Sequence, residues 1–371
     1  MTYEELRATG QNGVQILSAF RTLHVETDRH YFMGGAGASN NNDGTINNPW
    51  LDDRGWHGGL STANSTPPGV VHLSDGGGTL LAQGHADTNV GNLTLDGQMT
   101  SMVGIPGESP RVRLRNGRIR ATSGSYYHMQ DFEVFMDGAV AAYQDRSFFT
   151  CQSSADRFVL DSILFSNFED GTTTGQENGA GLTTLSQTTN YRLGVAMANC
   201  VMTGDSCSLW NTYSLQQAVM IGNEIRDATY VNSDGSTTAQ QMRFKRYTTQ
   251  CAALLNRIVT GNSWGPAGGI GYNSLCDNTE WLYNEIVNAS PGSQFRQSSL
   301  RLDSNQDGTV GRNHIARNSA RGRDDVKPAL RYDSPTVAGG YANPDLIELN
   351  ILDGTNGENI NPDLAFDAGT N

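Results

Sequence analysis

The sequence contains very little lysine and no long apolar run. Two of its 25 basic residues are lysines, Lys245 and Lys327, and the rest are arginines. Its 38 acidic residues give a net charge of −13, which argues against a nucleic-acid or anionic-membrane binder, because those partners need a basic surface. No run of about 18 apolar residues occurs, so the sequence predicts no transmembrane helix.

Cysteine is also scarce, and its spacing is irregular. The chain has five cysteines and no CxxC pair: Cys151, Cys200, Cys207, Cys251 and Cys276. An odd, scattered set is typical of small buried side chains and does not indicate a metal site. One disulfide remains open as an alternative.

The N-terminal residues do not resemble a secretory signal. MTYEELRATGQNG is polar and acidic where a signal peptide is basic and then apolar. Either the chain is not exported by that route, or its signal is absent from this sequence. We expect an extracellular or periplasmic protein in the second case and a virion-associated protein in the first.

A short unit repeats through the second half of the chain. It consists of Asn or Asp, any residue and an apolar residue, and it begins at positions 161, 199, 223, 256, 284, 313 and 350, with the units at 199 and 350 shifted by one. A second apolar run precedes most of these units, so that Leu209 and Asn223, for example, are 14 positions apart. The segment that follows each unit varies in length, and 226–241 is one such segment. Constant strand spacing with one variable loop per turn is typical of a β-solenoid.

The remaining composition agrees with this interpretation. The chain has 43 glycines, which suit short strands and tight turns. Between the apolar runs there is no helical segment of about 10 residues, as a doubly wound α/β fold requires. We therefore predict an all-β chain folded as a parallel β-helix.

The N-terminal region resembles a known class of such folds. HYFMGGAGASNNNDGTINNPW (30–50), followed by GGTLLAQG (77–84), is similar to the opening of right-handed parallel β-helix proteins of the pectate-lyase-like class. The resemblance implies a right-handed β-helix, which we place at 30–353. Residues 14–23 have helical spacing, so 1–29 is predicted to form a capping helix over the exposed strand edges. Residues 354–371 are predicted to form a C-terminal loop or cap.

Strand alternation predicts an outward stripe of polar side chains. With Met242 and Phe244 facing inward, Arg243 and Lys245 face outward. The same register in other coils predicts two columns. The first is Trp210, Arg243, Gly271, Arg301 and Arg331, and the second is Thr212, Lys245, Asn273, Asp303 and Asp333. In this arrangement Gly271 leaves a gap with room for a sugar ring.

The stripe predicts a base and a carboxylate site. Lys245 lies between Arg243 and Arg246, and nearby cations lower the pKa of a lysine. A neutral Lys245 is suited to remove the proton next to a uronate carboxyl, which is the first step of β-elimination. Arg243 and Arg301 would neutralise the carboxylate, and Arg301 or water would protonate the leaving oxygen, with Tyr247 as a third choice. The alternative is an ordinary exposed charge ladder.

Further residues are predicted to bind substrate or metal. Around the stripe we expect contacts with an anionic polysaccharide from Trp210, Asn273, Tyr247, Arg331, Asp333, Arg323 and Lys327. DSNQDG (303–308) matches the first half of a calcium loop, with Asp303, Asn305 and Asp307 as ligands, although His314 stands where such a loop has Glu. Calcium is the one cofactor predicted, and a turn is the alternative.

One local stretch resembles a family of lyases. NSLCDNTEWLYNEI (273–286) followed by SSLRLDSN (298–305) is similar to the two catalytic coils of the alginate and dermatan lyases, the chondroitinase B-like family. The resemblance implies a lysine base and an arginine acid on neighbouring coils. Here the lysine position holds Asn273 and Ser274, and Arg301 lies about two residues early, so these roles fall to Lys245 and Arg301.

These observations predict a polysaccharide lyase that cleaves a uronate-containing polysaccharide by β-elimination and acts as a monomer. The first alternative is a non-catalytic carbohydrate-binding protein or phage tail-spike, which we expect to be a trimer. The second is a glycoside hydrolase that uses Asp303 and Asp333, because neighbouring coils lie about 5 Å apart.

Overall fold

The computed structural model describes about half of the chain. The described residues are 13–22, 30–39, 41–50, 69–74, 80–82, 91–95, 98–115, 117–137, 147–168, 180–184, 191–204, 208–228, 242–245, 247–260, 271–274, 276–288, 300–303, 313–321, 330–333, 346–348 and 350–353. They form one helix, α1 (Gly13–Thr22), and otherwise strands and turns. No helix in these ranges is long and apolar enough to cross a membrane.

The strands are short, apart from two in the first half of the chain. In chain order they are β1 (His30–Met33), β2 (Gly69–Leu73), β3 (Leu80–Ala82), β4 (Gly91–Leu95), β5 (Gln98–Gly104), β6 (Arg111–Arg115), β7 (Gly117–Gln130), β8 (Glu133–Asp137), β9 (Ser147–Asp161), β10 (Leu164–Phe168), β11 (Ala180–Thr184), β12 (Arg192–Leu193), β13 (Ala196–Ala198), β14 (Val201–Gly204), β15 (Ser208–Tyr213), β16 (Leu215–Gln216), β17 (Val219–Ile221), β18 (Glu224–Ala228), β19 (Met242–Lys245), β20 (Ala252–Leu254), β21 (Arg257–Thr260), β22 (Gly271–Ser274), β23 (Glu280–Leu282), β24 (Glu285–Asn288), β25 (Leu300–Asp303), β26 (His314–Ala316), β27 (Ser319–Arg321), β28 (Leu330–Asp333), β29 (Leu346–Glu348) and β30 (Ile351–Asp353).

Apart from β12 and β16, which pair with each other, the strands pair in three long parallel rows. The first row is β1-β2-β5-β7-β9-β13-β17-β20-β23-β26-β29. The second row is β4-β7-β9-β11-β15-β19-β22-β25-β28, and it shares the long strands β7 and β9 with the first. The third row is β3-β6-β8-β10-β14-β18-β21-β24-β27-β30.

The chain visits these rows in a fixed cycle. From β19 onward, consecutive strands belong to the second, first and third row in turn, and from β20 onward each pairs with the strand three places earlier. A chain that returns to the same three parallel rows has the arrangement expected of a β-solenoid. The all-β prediction is confirmed, whereas right-handed coiling stays a prediction.

Large aromatic side chains fill the interior between the rows. Trp210, Phe244 and Trp281 are fully buried and pack together, with ring centroids 5.4 to 6.4 Å apart. Burial of each such side chain contributes about 1.5–3 kcal/mol, and tilted aromatic pairs add to this. Each coil therefore depends on its neighbours for its core.

A row of asparagines runs through the turn before the third row. Its members are Asn223, Asn256, Asn284, Asn318 and Asn350. The side-chain NH2 of each of the first four donates to the Oδ1 atom of the next asparagine at 2.8 to 3.0 Å. Each also donates to a backbone carbonyl of the preceding coil, as Asn284 does to Ala253. The buried amides are thus paired with one another and with the backbone.

This row confirms most of the repeat found in the sequence and corrects three members. The unit placed at 161 begins two residues early, because Leu164 pairs with Val201 and Val201 pairs with Glu224, so Ile163 stands in the place that Asn223 occupies. The unit placed at Asn313 is wrong, because Asn318 occupies that place in the row. At 199–201 the equivalent position is Cys200, whose backbone N–H donates to Asn223 Oδ1 at 3.0 Å. Asn199 instead adopts a left-handed backbone conformation with φ of 50°.

The N-terminal helix packs against the side of the rows. α1 contacts β9 and β13, and the Gly13 N–H donates to Gln217 O at 2.6 Å. These contacts lie near the middle of the first row, so the helix is not seen as a cap on the first coil. The predicted helix, 14–23, agrees with α1 within one residue at each end. Its contact with β9 and β13 was not predicted. The domain boundaries at 29/30 and 353/354 stay predictions.

Candidate functional site

The register of β15 differs from the predicted one by a single residue. Trp210 pairs with Met242, so Asn211 pairs with Arg243 and Tyr213 pairs with Lys245. Trp210 is fully buried, and the prediction that it faces outward to contact substrate is therefore wrong. The physical reason is that the largest apolar side chain of the strand gains most from the interior, and a one-residue shift exchanges the two faces.

A second register difference removes the predicted gap. Gly271 pairs with Met242 and Asn273 with Phe244, which are core positions, and Tyr272 pairs with Arg243. The interpretation of Gly271 and Asn273 as part of the outward stripe is therefore wrong, since a tyrosine position separates Arg243 from Arg301.

The last two strands of the stripe have the predicted register. Arg301 pairs with Arg331, and Asp303 pairs with Asp333. One column of paired residues is thus Asn211, Arg243, Tyr272, Arg301 and Arg331, and the next is Tyr213, Lys245, Ser274, Asp303 and Asp333.

Tyr213, Arg243 and Lys245 form a compact cluster, which we call the tyrosine cluster. Lys245 Nζ donates a hydrogen bond to Tyr213 Oη at 3.0 Å, and Arg243 Nη2 donates to the same oxygen at 3.3 Å. Both cationic groups also lie over the Tyr213 ring, 5.1 and 5.5 Å from its centroid. Tyr213 is 6% exposed and Arg243 is 4% exposed, so these charge-assisted contacts are largely withdrawn from water.

This arrangement gives the phenol oxygen an unusual electrostatic setting. Two cationic donors converge on this oxygen, and charged donors stabilise negative charge that develops on the acceptor during a reaction. The same two cations attract any carboxylate that approaches the cluster. The cluster therefore combines a group able to exchange a proton with groups able to hold an anion.

The sequence interpretation missed Tyr213, the residue that joins Lys245 to Arg243. The signal was present in SLWNTY (208–213): placing Trp210 inward, instead of Leu209, brings Tyr213 into register with Lys245. In a strand that contains one tryptophan, burial of that tryptophan is the stronger guide to register.

Other predicted residues are exposed or lie outside the described ranges. Tyr247 is exposed and adopts a left-handed conformation with φ of 62°, two residues after Lys245. Arg246, Arg323, Lys327, Asn305 and Asp307 lie outside the described residues. Within those ranges no three His, Cys, Asp or Glu side chains come together to hold a metal ion, and calcium binding stays a prediction.

The cysteines in the described ranges are buried free thiols. Cys151, Cys200, Cys251 and Cys276 have this state. Burial raises the pKa of Cys151, Cys200 and Cys251 to about 12, so their thiols stay neutral and unreactive. This agrees with the prediction of small buried residues, and Cys207 lies outside the described residues.

No protein-family model and no curated protein matches the chain. Among solved structures it is similar to a rhamnogalacturonan lyase, with 12% sequence identity, a TM-score of 0.43 and 87% of each chain covered. It is also similar to the GH136 lacto-N-biosidase from Eubacterium ramulus, with 10% identity, a TM-score of 0.41 and coverage of 87% of this chain and 67% of that chain. At these TM-scores neither similarity contributes to the functional argument, and the resemblance to alginate and dermatan lyases stays a prediction.

Proposed function

We propose that this chain is a polysaccharide lyase that cleaves a uronate-containing polysaccharide by β-elimination, with Tyr213 as the base. The observation that carries the proposal is the phenol oxygen of Tyr213, which accepts hydrogen bonds from both Lys245 and Arg243. This assigns to Tyr213 the role that the sequence predicted for Lys245. An acidic chain with a local cationic cluster suits a polyanionic sugar, because the sugar needs cations only where it reacts.

In the proposed reaction the Tyr213 phenolate removes the proton from the carbon next to the uronate carboxylate. The electron pair left on that carbon forms a C=C bond as the C–O bond to the neighbouring sugar breaks. The leaving oxygen takes its proton from the Tyr213 phenol or from water. Lys245 and Arg243 stay protonated throughout and stabilise the negative charge that grows on the carboxylate as the proton leaves. Arg301, two coils from Arg243 in the same column, is proposed to bind a neighbouring carboxylate.

The test is the ultraviolet absorbance of the unsaturated uronate product on a panel of polyuronates, with calcium and with a chelator. Tyr213→Phe keeps the ring and removes the oxygen, so we expect the rate to fall by about 10²–10⁴. Tyr283→Phe makes the same change at an exposed tyrosine on another edge of the rows and should leave the rate unchanged.

Two results would contradict this proposal. If Tyr213→Phe keeps the wild-type rate while Lys245→Ala abolishes it, the base is Lys245. If no polymer gives an absorbing product, the chain is not a lyase of these substrates.

The pairing of Asp303 with Asp333 favours a second candidate, a retaining glycoside hydrolase. Directly paired residues of neighbouring parallel strands lie about 4.8 Å apart, and retaining hydrolases need carboxyl groups about 5–5.5 Å apart. A hydrolase would release new reducing ends without ultraviolet absorbance, and Asp303→Asn would abolish that release while Tyr213→Phe would not. Binding of a polymer without either product would indicate a carbohydrate-binding protein.

A further inference from the structure

A buried threonine holds the backbone of each member of the tyrosine cluster. Thr184 Oγ1 donates to Tyr213 O at 2.7 Å and accepts from the Tyr213 N–H at 2.6 Å. Thr212 Oγ1 donates to Arg243 O at 3.0 Å, and Thr248 Oγ1 donates to Lys245 O at 2.8 Å. All three threonines are at most 1% exposed.

Two of these hydroxyls occupy positions where an apolar side chain would be expected. Thr184 pairs with Cys151 and Thr212 pairs with Phe244, and both partners belong to the core. A buried hydroxyl costs about 1–3 kcal/mol unless it is hydrogen-bonded, whereas valine has nearly the same shape without that cost. Polar groups at these positions are thus explained by what they contact, which is the backbone of the tyrosine cluster.

Tyr213 is held most firmly of the three. Besides Thr184, the guanidinium of Arg192 donates to Tyr213 O, with Nη1 at 3.4 Å from that oxygen. Arg192 is fully buried, and burial lowers the pKa of its guanidinium. Since the carbonyl of Tyr213 has two side-chain donors, the direction in which its side chain leaves the strand has little freedom.

We propose that Thr184, Thr212 and Thr248 are positioning residues for the tyrosine cluster, with Arg192 supporting Thr184. The effect of this positioning on catalysis rests on the lyase function proposed above. The hydrogen bond between Lys245 Nζ and Tyr213 Oη is 3.0 Å long, and a displacement of well under 1 Å weakens such a bond substantially. Anchoring the three carbonyls keeps the strand ends of β15 and β19 in the one register that aligns the cations with the phenol.

The experiment compares the same substitution at two buried threonines of the second row. Thr184→Val removes both contacts to Tyr213, whereas Thr184→Ser keeps the hydroxyl. The control is Thr150→Val, because the Thr150 hydroxyl is buried and has no hydrogen-bond partner in the described part of the chain. The readout is the pH titration of the Tyr213 phenol by NMR with ¹³Cζ-labelled tyrosine, assigned with Tyr213→Phe, together with the lyase rate.

We expect Thr184→Val to raise the titration midpoint of Tyr213 by about one pH unit, because the two cations no longer align with the oxygen. The lyase rate should fall roughly tenfold or more, as expected for a misplaced catalytic group. Thr184→Ser should restore both values, and Thr150→Val should change neither. If Thr184→Val does not fold, Thr212→Val and Thr248→Val make the equivalent change at the other two anchors.

A wild-type titration curve in folded variants at all three anchors would overturn the proposal, whatever the rates are. If the wild type shows no lyase activity while the titration shifts as expected, the proposed function fails and the positioning role stands. If Thr150→Val shifts the titration as much as Thr184→Val, the effect is a general loss of packing and the proposal is wrong.

Discussion

Asn284 is the central member of the asparagine row, and replacing it with leucine tests what holds the coils in register. Its Oδ1 atom accepts from the Asn256 N–H at 3.0 Å and from Asn256 Nδ2 at 2.9 Å. Its Nδ2 atom donates to Asn318 Oδ1 at 2.8 Å and to Ala253 O at 2.9 Å. Asn284→Leu keeps the approximate shape of the side chain and removes all four hydrogen bonds.

The expected cost follows from these contacts. Four hydrogen bonds at a net value of about 1 kcal/mol each give about 4 kcal/mol. A buried leucine returns about 2 kcal/mol through its apolar surface. We therefore expect the free energy of unfolding to fall by about 2 kcal/mol, a large part of the roughly 5–15 kcal/mol of a typical domain. The loss should be concentrated next to Asn256, whose N–H has lost its acceptor.

The measurements are urea unfolding followed by circular dichroism and hydrogen exchange of the Asn256 amide. The control is Asn47→Leu, at an exposed turn position outside the row, where a change within about 0.5 kcal/mol is expected. Unchanged stability and unchanged exchange at Asn256 in Asn284→Leu would refute the idea that the amides hold neighbouring coils in register.

Two other perturbations address α1 and the pH dependence of stability. A Cβ atom at Gly13 would lie 2.6 Å from Val195 O and 2.8 Å from Val219 N, so Gly13→Ala should loosen the packing of α1, lower Tm and speed proteolysis at the N-terminus. The control is Val14→Ala, at an exposed position of α1. Equal Tm and equal proteolysis of the two variants would contradict this prediction. Burial, followed by the charge of His30, lowers the pKa of His72 below its ordinary value of 6.5. The unfolded chain then binds more protons than the folded one as pH falls below about 6.5, so stability should decrease there. His72→Gln should reduce this decrease in urea unfolding measured from pH 7 to 5, and an unaltered pH dependence would count against it.

The repetitive part of the fold was predictable because its signals are local. The asparagines at 223, 256, 284 and 350 recur beside apolar runs, and the structure uses them in one buried row. The contact of α1 with β9 and β13 was not predictable, since no local pattern indicates which of many similar coils offers a partner surface. Asn313 misled the interpretation because His314 and Ile315 follow it as the unit requires, whereas the row uses Asn318, which Ser319 and Ala320 follow.

The candidate site depended on register, which the sequence determines less firmly. Lys245 and Arg243 were placed on the outward face, and both belong to the tyrosine cluster. Their partner Tyr213 was missed because the prediction turned Leu209 inward, whereas the structure buries the adjacent Trp210. A shift of one residue in β15 exchanges every side chain between core and surface, so a small error in pattern becomes a complete error in the site.

The lateral position of α1 has a consequence for the order of events during synthesis. The Gly13 N–H finds its acceptor in Gln217, about 200 residues later in the chain. The helix leaves the ribosome long before β9 and β13 exist, so its apolar side has no native partner while the first coils form. Docking of α1 is therefore a late step that closes a very long loop. Until β17 has been synthesised, the apolar side of α1 is exposed to non-native contacts.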